Sequence, residues 1–102
     1  GLIYQWLKKR DVAWLQQNGQ LVKAALTNIK YNTSVEMNGE SPFFIQCEWT
    51  DPANNKLYVF DSDNIWFDPT PFVKDKKLQV LIDPRNPGLY TVDLSFLPEQ
   101  GN

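Results

Sequence analysis

Leu78, Val80 and Ile82 mark one face of a period-two run, Asp83-Pro84-Arg85-Asn86-Pro87-Gly88 interrupts it, and Tyr90, Val92 and Leu94 mark a second run that ends at Pro98. Alternation places successive side chains on opposite faces of a strand, and Asp, Pro, Asn and Gly are the residues that reverse a chain. The interruption is too short for a crossover helix, so the two strands must be antiparallel neighbours. The same logic applies upstream. Phe43, Ile45, Cys47 and Trp49 alternate with Gln46, Glu48 and Thr50, Asp51 to Lys56 forms a turn, and Leu57-Tyr58-Val59-Phe60 returns as the partner strand.

A further strand begins at Gln20. Val22, Ala24 and Leu26 share one parity, whereas Ile29 and Tyr31 fall one step out of phase. That slip predicts a bulge near Thr27-Asn28, which bends a long strand. Residues 32–42 are rich in Asn, Ser, Gly and Glu and read as a loop. Within it Asn32-Thr33-Ser34 matches a glycosylation sequon, a short pattern that often arises by chance. Ile65-Trp66-Phe67 is a short apolar piece stopped by Asp68-Pro69-Thr70-Pro71, since proline gives no amide hydrogen to a ladder. Lys74 to Lys77 reads as a solvated segment.

Ahead of the strands, residues 3–17 contain good helix formers, with Leu7, Asp11 and Trp14 on one face and Val12 and Leu15 beside it. Asn18-Gly19 is a stop, with Gly19 expected in the left-handed conformation that ends helices. Trp6 followed by Lys8, Lys9 and Arg10 is how a membrane helix leaves a bilayer, with the ring at headgroup level and the cations facing lipid phosphates. An ordinary helix packed on the body is the competing reading. No run of apolar residues in the chain itself is long enough to span a membrane.

The charge distribution follows the same division. The first twenty residues carry a net +2 and the remainder a net −4, for an overall −2. An acidic body argues against nucleic acid, which needs cations to displace phosphate counterions. The chain has no histidine and one cysteine. Triads and Cys–His dyads need an imidazole, and a Cys/His zinc site needs more ligands, so these chemistries are excluded. Cys47 alternates with apolar neighbours and reads as a small buried residue. Asp61-Ser62-Asp63-Asn64 opens like a calcium loop, but Trp66 stands where glycine is needed and Phe72 where a bidentate Glu belongs. It reads instead as an Asx-rich turn. No metal and no cofactor is expected. An enzyme built on Asp and Lys alone would need such groups to converge in one cleft.

Fourteen residues are aromatic. Tyr31, Trp49, Tyr58 and Trp66 are the candidates for a binding surface on which a ligand stacks. Core packing and cross-strand pairing are the alternative use for them.

Three segments together carry a resemblance: Gly19-Gln20-Leu21-Val22-Lys23-Ala24, the stretch Phe60-Asp61-Ser62-Asp63-Asn64-Ile65-Trp66-Phe67-Asp68-Pro69, and the run from Val80 to Asp93 through Asp83-Pro84-Arg85-Asn86-Pro87-Gly88. In this order they resemble a broad group of bacterial membrane proteins of unknown function, in which a small β-rich domain follows or sits between transmembrane helices. The resemblance covers most of residues 10–98. It implies an N-terminal membrane anchor and an inner-membrane location, and it carries no catalytic residue.

The expectation is therefore a mainly β (α+β) chain. A juxtamembrane-like helix over 1–18 leads into an antiparallel β barrel or sandwich of five to six strands over 19–98, with a polar tail over 99–102. The expected role is a non-enzymatic interaction or assembly module. It would meet the membrane surface through its N-terminal end, on the cytoplasmic side by its positive cluster, and would engage a protein partner. The alternative is a domain binding a small ligand or oligosaccharide through exposed Trp and Tyr.

Overall fold

A computed structural model describes residues 11–74 and 76–98. Trp6, Lys8, Lys9, Arg10, the first part of the expected helix and the polar tail lie outside the described residues.

Residues 11–18 are helical (α1). Leu15 is buried, and its carbonyl accepts a 2.7 Å bond from the Gly19 N–H. Gly19 does not have a positive φ, so the left-handed stop is not the reason for glycine there. Close approach is: a Cβ at this position would lie 2.5 Å from the Leu15 carbonyl oxygen and 3.2 Å from that of Ile82.

Five strands follow, β1 (Gln20–Tyr31), β2 (Phe43–Asp51), β3 (Lys56–Asp61), β4 (Lys77–Asp83) and β5 (Asn86–Val92), with a short helix α2 (Thr70–Val73) between β3 and β4. They form one sheet in the order β3-β2-β1-β4-β5, and every pair is antiparallel. β1 is the hinge of this sheet. Its first half, Gln20 to Ala25, pairs with β4, and its second half, Ala25 to Tyr31, pairs with β2. The register slips between Leu26 and Asn28, so Thr27 is the extra residue that the phase of the sequence predicts. A bulge increases local twist and bends the strand. Here it helps curl the sheet until its two edge strands approach, making a half-barrel.

A second sheet is absent among the described residues, so the sandwich alternative does not apply. The curled sheet buries its inner face against itself. Val22, Ala24, Ile45, Cys47, Phe60, Leu78, Val80, Ile82 and Val92 fill that concavity. Ile65 and Val73 enter from the β3–β4 connection, where sequence alone suggests only a broken strand and a solvated loop. The expected sixth strand reduces to one bridge, Phe43↔Ile65, closed by two 2.7 Å backbone bonds. α2 is nucleated locally. Asp68 accepts from the Thr70 N–H (3.0 Å) and hydroxyl (2.6 Å), and Pro71 stands in the first turn, where its missing amide hydrogen costs nothing. Those two bonds hold the exposed Asp68 carboxyl below its usual pKa. Phe96 and Leu97 pack back onto the core.

The gap between β3 and β5 is joined by side chains. The Asp61 N–H donates to the Tyr90 hydroxyl oxygen (3.0 Å), and the Phe60 and Tyr90 rings lie 4.7 Å apart at 52°. No helix among the described residues is long and apolar enough to cross a membrane.

Candidate functional site

The four candidate aromatics divide into two pairs near opposite ends of β2. Phe43 and Trp49 are six residues apart on β2, about 20 Å at strand rise.

At one end, Trp49 pairs with Tyr58 across β2 and β3, their rings 6.0 Å apart. Tyr58 stacks in turn on Phe60 at 6.5 Å. Both Trp49 and Tyr58 are half-buried against the core. This run of rings leads to Tyr90 and spans the gap between the sheet edges, which is a packing role.

At the other end, Tyr31 and Phe43 are the last cross-strand pair of β1 and β2. They keep the inward parity of Ile29 and Ile45; Phe43 packs against the margin of the core, and Tyr31 stands exposed beside it. Their ring centroids are 4.5 Å apart. Trp66 follows Ile65, which bridges to Phe43. Tyr31 is 62% exposed and Trp66 41%. Both line one open groove of about 370 Å³, together with Gly39, Glu40, Ser41 and Phe43.

The groove has a fixed frame. The Asn32 N–H donates to the Pro42 carbonyl (2.7 Å). The Asn32 side-chain amide donates to Asn64 Oδ1 (2.9 Å), and its oxygen accepts from the Ser34 N–H (3.2 Å). The Asn32 amide nitrogen that a glycan would occupy is therefore engaged within the fold. Met37 and Glu40 pair through backbone bonds of 2.8 and 3.0 Å, and the two residues between them, Asn38 and Gly39, both have positive φ (54° and 80°). That is the Asn-Gly reversal favoured in tight hairpins. The segment read from sequence as a plain loop thus contains a miniature hairpin, and Asn38-Gly39 was the signal for it.

β3 ends at Asp61, and Ser62 stays tied to β2. The Ser62 N–H donates to the Ile45 carbonyl (2.8 Å), and Ser62 Oγ accepts from the Ile45 N–H (2.9 Å). Asp61 accepts from the Gln46 amide (2.9 Å). A second groove, of about 400 Å³, lies in the β3–β5 gap and includes Asp11, Asp61, Asp63 and Tyr90. Among the described residues no three His, Cys, Asp or Glu side chains are grouped to hold a metal ion. Cys47 is fully buried, and burial first, then the Asp61 charge, pushes its thiol pKa up to about 11. The thiol is therefore neutral and inert at physiological pH.

Comparison with known proteins finds no matching family model, no similar curated protein and no similar solved structure.

Proposed function

We propose that this chain is a non-enzymatic binding domain serving as an interaction or assembly module of a membrane-anchored protein. One observation carries the binding half of the reading: two large aromatic residues, Tyr31 and Trp66, stand exposed in the same groove on a frame of paired backbone. Exposed aromatics on a rigid support contribute much contact area at little entropic cost, which is why Tyr and Trp are enriched where proteins bind. The anchored half rests on the family resemblance and on Trp6-Leu7-Lys8-Lys9-Arg10.

The two halves have separate tests. A photo-crosslinking residue at position 31 of the full-length protein, expressed in its own cells, is expected to capture a partner. The same residue at Lys23, on the opposite face of β1, is not. Equal labelling at both positions, or none at position 31, overturns the module. For the anchor, the full-length product is expected in the membrane pellet, and a reporter after Asn102 is expected to behave as cytoplasmic. A soluble product overturns it.

A second reading, a small-ligand or oligosaccharide-binding domain, has its own support. β1 pairs with both β2 and β4, a helix separates β3 from β4, and β5 returns beside β3. This connectivity resembles the five-stranded Greek-key barrels that bind oligonucleotides and oligosaccharides, in which the β1–β2 loop is part of the binding surface. Gly39, Glu40 and Ser41 lie on that loop here. Fold analogy alone assigns no ligand, and the acidic charge weighs against nucleic acid.

A further inference from the structure

The groove also has a charge character, and it points to a ligand. Among the described residues lining it, Glu40 alone is charged, and three of the other five are aromatic. A carboxylate with no cation among the described lining residues attracts positive charge. Aromatic faces do the same through their quadrupoles, and alkylated ammonium groups are the cations that aromatic cages hold best, because they present charge with little hydration to lose. The Tyr31 and Phe43 rings lie against each other, with centroids 4.5 Å apart and planes tilted by 33°, so the pair offers outer ring faces rather than both faces of each ring. Trp66, the strongest cation-binding ring type, lines the same groove. The walls are held in place before any ligand arrives by the Tyr31↔Phe43 ladder pair, the Phe43↔Ile65 bridge and the Met37↔Glu40 hairpin. Pre-organisation of this kind lowers the entropic cost of binding.

We propose that the groove lined by Tyr31, Phe43, Trp66 and Glu40 binds the trimethylammonium group of a small free solute. This deepens the second, small-ligand reading above and rests on it. A trimethylammonium group also occurs on zwitterionic lipid headgroups, but there a phosphate adjoins it, and Glu40 would repel that phosphate. The free cation is the occupant this charge arrangement favours, and the vesicle arm of the test separates the two.

The test is an NMR titration of the isotope-labelled chain at matched ionic strength. The probes are choline, tetramethylammonium, the neutral choline isostere 3,3-dimethylbutan-1-ol, methyl glucoside and phosphatidylcholine vesicles. Choline and tetramethylammonium are expected to move the Trp66 indole and the Tyr31 and Glu40 amides saturably, with dissociation constants on the order of millimolar for so open a site. The neutral isostere is expected to bind at least about tenfold more weakly, as the charge supplies the attraction. Trp66→Leu should weaken choline by about tenfold. Glu40→Gln, which leaves the backbone pair with Met37 intact, should weaken it roughly two- to fivefold, the effect of an exposed charge partner.

Equal binding of the isostere overturns the proposal in favour of a merely apolar groove. Methyl glucoside binding without choline overturns it in favour of sugar, and vesicle binding without free choline in favour of a lipid surface. If no probe moves these signals at roughly 100 mM, well above the expected dissociation constant, the proposal fails. The crosslink at position 31 then reads separately whether the interaction-module reading survives.

Discussion

Tyr90→Phe removes one oxygen from the strap between β3 and β5 and leaves the ring in place. The Asp61 N–H then loses its 3.0 Å acceptor, while the 4.7 Å contact with Phe60 persists. Because Asp61 is exposed, water can replace the hydroxyl. The cost is therefore the net value of one hydrogen bond, about 1 kcal/mol, and not the larger penalty of a buried orphan. For a domain near 100 residues this lowers Tm by about 4–8 °C. Tyr90→Leu also removes the aromatic pair, itself worth about 0.5–1.5 kcal/mol beyond area, and should cost roughly 1.5–2.5 kcal/mol in total. Urea titration followed by tryptophan fluorescence measures both. Amide exchange of Asp61 reports the bond directly and should quicken in Tyr90→Phe while the amides of β1 stay protected. If Tyr90→Phe matches the wild type within about 0.3 kcal/mol, the precision with which independent sites add, and Asp61 exchange is unchanged, the strap does not hold the edges together.

Gly19→Ala places a Cβ 2.5 Å from the Leu15 carbonyl oxygen; overpacking against backbone should cost about 1–3 kcal/mol, read as a lower urea midpoint. Val73→Ala, at the fully buried end of α2, should cost about 2 kcal/mol through the cavity it leaves, measured the same way. Gly39→Ala meets open space but has φ +80°, so the penalty is that of a left-handed alanine, about 1 kcal/mol. For Cys47 the folded pKa stands at about 11 against 9.0: the unfolded chain loses the thiol proton first, so the contribution of Cys47 to stability is constant below about pH 9 and is lost between pH 9 and 11, by roughly 2–3 kcal/mol. Cys47→Ala should flatten that part of the urea-midpoint profile, and an unchanged slope would show that other groups cause it.

The strands were legible because each has one wet and one dry face, and that asymmetry prints a period of two. What was illegible came from contacts distant in sequence. Nothing local to Ile65 or Val73 says that they plug a concavity formed by strands on either side. The short α2 is set by two bonds to Asp68, and four helical residues leave no periodicity to read. Gly19 reads from sequence as a left-handed stop, yet its φ is not positive; the close approach to the Ile82 carbonyl cannot be seen from the residues beside it. Composition points to the aromatics as a class, but it cannot separate the half-buried pair, Trp49 and Tyr58, from the exposed pair, Tyr31 and Trp66. Their position relative to the filled part of the inner face decides that.

The bulge joins fold and groove. Val22, Ala24 and Leu26 face inward, and an uninterrupted β1 would next turn Asn28 and Lys30 inward and Ile29 and Tyr31 out. Polar groups would then enter the core unpaired, which is costly, and Tyr31 could not stand beside Phe43. Thr27 absorbs the extra residue, its hydroxyl donating to the Gln46 carbonyl (3.1 Å), while Asn28 donates to the Gln46 side chain (3.1 Å). Gln46 passes the link on to Asp61 (2.9 Å), beside the strap to Tyr90. Deleting Thr27 would keep Ile29 and Tyr31 on the inner face, because the remaining residues then alternate without a break. It would remove the bend. The sheet should flatten, and the Asp61 amide should lose protection although neither Asp61 nor Tyr90 has changed. Retained Asp61 protection in that variant would mean that the curl comes from packing of the inner face alone, and that the bulge serves only to keep the register.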